Sequence, residues 1–320
     1  MKEQLSFFEI DEIEKTNVAL TLLCYGAGQD STAILYKIMK DPDYKKKYVS
    51  GKLIVVFSET GSEHPETYKQ LERIKKLCQQ HDIDFFYLKG SMGFHRNGWE
   101  NGLKEIYRSK KVIGMLGGTQ MCTDNLKIKP IDRFLEHYVI TNYNITKGYN
   151  IAPTMYSFAA KYGKIRLILG FAAGEGRDIK SGRLDPKWKS RVVERSYPLV
   201  DENMNRLACQ NYINSLPKKY VLPPPSNCTI CFFSNGPELI WLDKFMPDEW
   251  NEWVELEAAK IMNNQHKEKN NGVGGSAKLL PQRLNEAKLK KDPNGKLYGD
   301  YTDAELNEYK FSHGCVKSTY

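Results

Sequence analysis

The sequence predicts an α/β fold in which a mostly parallel sheet is covered by helices and followed by a smaller cysteine-bearing C-terminal region. Three observations carry this expectation. Apolar runs of strand length at Val18–Leu23, Leu53–Phe57, Ile83–Leu88 and Ile165–Phe171 alternate with helical stretches at Thr32–Met39, Glu66–Gln80, Pro130–Val139 and Thr154–Tyr162. The first run ends abruptly in small residues before a polar Asp-Ser-Thr step. Pro223, Pro224 and Pro225 then stop regular structure just before the pair Cys228 and Cys231. The chain accordingly divides into an α/β unit over 1–220 and a mainly helical unit over 221–320.

The first strand runs into Gly26-Ala27-Gly28-Gln29-Asp30-Ser31. Two glycines flanking an alanine let the backbone turn tightly and approach a ligand, and the helix that follows directs its free amides at an anion. A dinucleotide fingerprint or a Walker loop would need other residues, and neither pattern is present. The second strand leads through Ser58, Glu59, Thr60 and Gly61 to Pro65, which suits a first helical turn, with Glu66 favourable beside it. Between Lys89 and Gly118 seven glycines break any period, so this stretch reads as an active-site loop with a short helix. From Leu239 to Met262 the pattern is largely helical, with Trp241, Trp250 and Trp253 as packing residues.

A chain of 320 residues with 41% hydrophobic and 12% aromatic content is long enough for a substantial core. No stretch approaches a membrane span, and the charged amino end has no secretory apolar segment, so a cytoplasmic location is expected and no membrane partner. Seven cysteines with one CxxC pair suggest, in a reducing compartment, metal binding or redox chemistry before a disulfide scaffold. The net charge of +8 and the nine Lys or Arg against three acids between Lys260 and Lys296 admit two readings, a nucleic-acid contact or a basic solvated face.

Gly26-Ala27-Gly28-Gln29-Asp30-Ser31 resembles the SGGxDS phosphate loop of the PP-loop superfamily, whose members cleave ATP between the α and β phosphates. More particularly it is similar to the GAGxxS variant of phosphoadenosine phosphosulfate reductase-like proteins, many of them from phages and mobile elements. Four further segments resemble elements of that family in the same order. They are Glu59-Thr60-Gly61 with Pro65-Glu66-Thr67, Cys122-Thr123 with Lys127 to Pro130, Leu169-Gly170 with Glu175 and Arg177, and Cys228-Thr229-Ile230-Cys231-Phe232-Phe233. The resemblance implies a Rossmann-like sheet, with ATP or a phosphoadenylyl nucleotide held by Gly26, Ala27, Gly28, Gln29 and Ser31 and its adenine or ribose near Ser58, Glu59 and Thr60. It makes Lys127 and Arg177 catalytic candidates that contact anionic groups. Asp30 joins them as an organiser of the phosphate loop or of Mg²⁺, with helix capping as its other reading. Lys129, Arg133, Arg166 and Arg183 are further cationic candidates.

The same resemblance implies that Cys122, Cys228, Cys231 and Cys315 are ligands of a [4Fe-4S] cluster or, alternatively, of Zn²⁺. Buried core cysteines without a ligand are the third reading. This chain departs from the family where Gln29 replaces a basic residue, where Thr123 stands next to Cys122 in place of a second cysteine, and where Gly314-Cys315-Val316 lacks the Glu-Cys-Gly-Leu-His signature. Three functions stay open. The first is ATP activation coupled to nucleophilic or sulfur transfer, to an acceptor such as nucleic acid and with a sulfur-donor or reducing protein as partner. The others are thiol-dependent reduction of an adenylyl sulfate and a non-catalytic nucleotide-binding module.

Overall fold

In the computed structural model, which describes residues 18–108, 115–116, 119–174, 186–225, 228–231, 234–262, 272–273 and 278–312, all five residues of strand β1 (Leu20–Cys24) are buried. A strand needs no polar face when it lies in the middle of a covered sheet. β1 is flanked on one side by β2 (Lys52–Ser58) and on the other by β6 (Ile165–Leu169).

The chain order explains this placement. After β1 come α1 (Gln29–Lys40), α2 (Pro42–Tyr48), β2, α3 (Pro65–Gln80), β3 (Asp84–Leu88) and α4 (Gly102–Arg108). A short antiparallel pair, β4 (Met115–Leu116) with β5 (Thr119–Gln120), leads into α5 (Met121–Thr123), a π-helical turn at Asp124–Ile128, and α6 (Lys129–Tyr143). Then follow α7 (Ile151–Tyr162), β6, α8 (Lys187–Val192), β7 (Val193–Ser196), α9 (Pro198–Asp201) and α10 (Arg206–Ser215). The last elements are α11 (Gly236–Phe245), α12 (Pro247–Met262), α13 (Leu280–Leu289) and α14 (Asp303–Ser312).

The sheet runs β3-β2-β1-β6-β7, with every pairing parallel. Alternate side chains feed two cores. Leu23, Val55, Phe57 and Ile168 pack under α1, α3 and α10, whereas Leu22, Cys24, Ile54, Val56, Leu167 and Leu169 pack under α6, α7 and α8. Chain order reverses between β1 and β6, and in open α/β sheets the crevice beyond the strand ends at that point is where ligands bind.

The predicted strands and helices are present, with ends shifted by no more than four residues. Two differences have clear causes. β7 escaped detection because only Val193 of its four residues is buried, so it carries no apolar run. The stretch read as one helix from Leu239 is two, because Pro247 has no amide to continue α11 and instead opens α12. No helix among the described residues is long and apolar enough to cross a membrane.

A third core joins the middle of the chain to its C-terminal helices. Trp99, Leu103, Ile106, Tyr107 and Leu126 pack with Ile230, Leu239, Trp241, Trp250, Trp253, Leu284 and Leu306. All three tryptophans read as packing residues are buried in it. Glu249 ties its polar edge together, accepting from Thr229 Oγ1 at 2.5 Å and Trp253 Nε1 at 3.0 Å and pairing with Lys104 Nζ at 2.8 Å. Burial alone would raise its carboxyl, but Lys104 and Thr229 outweigh burial and hold it below the ordinary value. A group whose folded value is depressed stabilises the fold above its unfolded value and loses that contribution as pH falls through the folded one. Glu249→Gln is therefore expected to lower the unfolding midpoint at pH 7 and to narrow its gap from the parent below pH 4; an equal gap at both pH values would contradict this.

Candidate functional site

β1 ends at Cys24 and α1 begins at Gln29, so the turn between them is short. The strained position is Ala27, at φ +58°, a region that costs an L-residue energy and persists where surrounding structure fixes it. Gly28 occupies the cap position of α1 and no side chain caps the helix. Ser31 Oγ accepts from Gly26 N–H at 3.2 Å and donates to Gly28 C=O at 3.3 Å, closing the turn. The first amides of any helix have no intrahelical acceptor, so those of α1 remain available to an anion. β6 supplies the opposite wall: a Cβ on Gly170, directly after the strand, would lie 3.0 Å from Ser31 N.

Ser58, at the end of β2, donates to Leu126 C=O at 2.6 Å and thereby pins the π-helical turn to the sheet edge. That contact brings Lys127 into a small recess with Cys24, Gly26, Ser58 and Ile131. Lys127 Nζ lies 3.9 Å from Glu63 Oε1, and the Glu63 side chain has no exposed surface. Thr60 Oγ1 donates to the same oxygen at 3.0 Å, while Glu63 Oε2 finds no partner among the described residues.

Cys24 and Ile131 also border a neighbouring cavity of about 110 Å³. Its floor is apolar, formed by Leu135, Leu167, Leu169 and Val193, and its walls carry Lys129, Lys189 and Arg195 with Asp124 and Asp132. Lys189 pairs with Asp132 at 2.5 Å and Lys129 with Asp124 at 2.6 Å. Burial pushes the Cys24 thiol up to about 12 against the pull of Lys189, so it lines the cavity as a neutral group.

Of the residues singled out in the sequence, the structure thus gathers Gly26, Ser58 and Lys127 in one recess, with Ala27, Gly28 and Ser31 building its loop. The other described ones are engaged elsewhere. Gln29 turns to Gln210, Pro223 and Phe311, and Asp30 pairs through one carboxylate oxygen with Arg206 at 3.1 Å and does not cap α1. Glu59 accepts from Tyr87 O–H at 2.8 Å. Arg133 donates to Phe94 C=O, and Arg166 bonds Ser50 Oγ, just ahead of β2 and so at the far edge of the sheet. Arg177, Arg183, Glu175 and Cys315 lie outside the described residues.

Cys228 Sγ donates to Thr60 Oγ1 at 3.4 Å, and Glu63 and Cys228 pair in an isolated antiparallel bridge outside the strands. Burial first, then Glu63, pushes this thiol well above the ordinary range, with Lys127 opposing. Cys122 and Cys231 are half-buried, and Cys231 N–H donates to Ser234 Oγ at 3.2 Å. Among the described residues no three His, Cys, Asp or Glu side chains converge on a point that would hold a metal ion. In the basic stretch, Lys278, Lys288 and Lys296 pair with Glu286, Asp243 and Glu305, and Lys260 is buried over the Tyr107 ring.

No family model matches the chain. Over 101 residues, 32% of its length, it is 31% identical to tRNA(Ile)-lysidine synthase of Buchnera aphidicola. The matched stretch spans 21% of the length of that curated relative. Two solved structures show distant likeness. Phosphoadenylyl-sulfate reductase from Candida auris, in a phosphate complex, gives a TM-score of 0.32 at 15% identity, covering 63% of this chain and 74% of that one. U34-tRNA thiolase NcsA from Methanococcus maripaludis, with its [4Fe-4S] cluster, gives 0.37 at 14% identity, covering 84% and 81%. Sequence reasoning missed Glu63, Lys189, Arg195, Arg206 and Gln210 around this loop. Glu63 alone had a signal, an acid between Gly61 and Pro65 in a segment already marked.

Proposed function

We propose that this chain is an enzyme that binds ATP at the carboxyl end of β1 and cleaves it between the α and β phosphates. A nucleophile on the acceptor attacks the α phosphorus, the bond to the bridging oxygen breaks, and pyrophosphate leaves with its electron pair. The observation that carries this reading is the uncapped start of α1 with Lys127 held in the same recess as Gly26. Amides at the start of α1 would bind the phosphate chain, since the side chains of Gln29 and Asp30 are committed elsewhere. Lys127 would offset the charge that develops on the leaving pyrophosphate, which a fixed cation in a recess does better than water. The cavity beside it brings Lys129, Lys189 and Arg195 close to the same sheet edge, where they would add positive charge near a bound phosphate chain. Mg²⁺, when bound to the nucleotide, would supply further charge neutralisation.

Incubation with ATP and candidate acceptors tests this. Release of AMP or an adenylylated product together with pyrophosphate is the expected result, and ADP with orthophosphate would reject it. Formation of sulfite and a 3′,5′-bisphosphate from phosphoadenylyl sulfate would replace it with reductase chemistry. Tight ATP binding without turnover across acceptors would leave a binding module. Mass analysis of tRNA, DNA and small-molecule pools after the reaction assigns the acceptor class.

A further inference from the structure

The first two residues of α1 are held by one face of α10. Gln210 Nε2 donates to Gln29 Oε1 at 2.9 Å, and an Arg206 guanidinium nitrogen donates to Asp30 Oδ2 at 3.1 Å. Arg206 and Gln210 are one helical turn apart and so lie side by side. Gln29 does more than meet α10. Its Nε2 donates at 3.3 Å to the carbonyl of Pro223 and at 3.3 Å to that of Phe311, positions 194 and 282 residues away.

Phe311 sits in the last turn of α14, where carbonyls have no intrahelical donor. Gln29 thus caps the end of a helix from the other end of the chain. Tyr36, further along α1, adds a bond from its hydroxyl to the Val221 carbonyl at 3.3 Å. These contacts gather at a groove of about 570 Å³ bordered by Gln29, Gln210, Pro223, Glu308 and Phe311, and Gln29 itself is 4% exposed. One side chain of the phosphate loop therefore binds α10, the proline connector and α14 together.

We propose that Gln29 is a positioning residue that couples occupancy of the phosphate loop to docking of α14 and the 221–225 connector. The proposal rests on the reading that this loop binds a nucleotide. The Gln29 amide is among those free to meet a phosphate, so a bound anion restrains its backbone and with it the carboxamide that holds Phe311 and Pro223. Coupling between sites is reciprocal: a docked α14 strengthens nucleotide binding by the same factor.

Hydrogen exchange of the full chain with and without ATP, beside calorimetric titration, tests this. ATP is expected to slow exchange in 303–312 and 221–225 about fivefold or more, a factor typical of coupled sites, while α7 across the sheet is unchanged. In Gln29→Leu, which keeps the backbone amide, ATP binds at least about fivefold more weakly and the slowing disappears. Gln210→Leu, outside the loop, is expected to reduce both effects and serves where the first variant fails to fold. Binding of ATP to the parent without slowing at 303–312, or slowing that survives in both variants, overturns the coupling alone. Failure of the parent to bind ATP overturns the nucleotide reading and the coupling with it.

Discussion

Lys127→Met is expected to reduce pyrophosphate release by about a hundredfold or more, the loss seen when one preorganised donor to a developing charge is removed. The same change leaves the Glu63 carboxylate, which has no exposed surface, without the cation 3.9 Å away. Breaking a buried pair from one side costs about 3–5 kcal/mol, so the variant also unfolds more readily. Pairing it with Glu63→Gln separates the two effects. The double variant should recover most of the lost stability in a denaturant titration while its rate stays low. Recovery of the rate as well would make Lys127 a structural partner of Glu63 and remove it from the chemistry.

Trp253→Ala is expected to cost about 3–5 kcal/mol, as truncation of a buried Trp does. Its ring is fully buried, lies 5.9 Å from that of Tyr107, and donates from Nε1 to Glu249. At about 2–4 °C per kcal/mol for a chain of more than 150 residues, the thermal midpoint should fall by roughly 10 °C. Because this core joins α4 to α11, α12 and α13, the loss should appear in one cooperative transition with the C-terminal helices. A loss under about 1 kcal/mol would show that the indole is not the centre of this core.

Much of the fold was readable because its signals are local. Leu20–Cys24 is apolar except for Thr21 and buried throughout, since both faces of a central strand are covered, and Gly26 and Gly28 mark the turn that follows. Pro65 announces the start of α3 by its chemistry alone. β7 was not readable because its register is set by pairing with β6 and not by its own residues, three of which are not buried. The partners of Gln29 and Asp30 were equally hidden. Both residues stand in a phosphate-loop motif, yet their side chains answer to Gln210 and Arg206, which no spacing in the sequence connects to them.

The sequence by itself indicated the alternation of the main strands and helices, the small-residue turn after β1, and Lys127 among its candidate cations, because each depends on residues within a short span. Tertiary structure alone decided that the chain reverses between β1 and β6, which sets Gly170 against Ser31 and opens the crevice at that point. It also decided that Ser58 anchors the turn carrying Lys127 and that Lys189 and Arg195 join the neighbouring cavity. Local pattern records how a segment buries its own apolar side, whereas a site at the edge of a parallel sheet is made by segments that only the packing brings together.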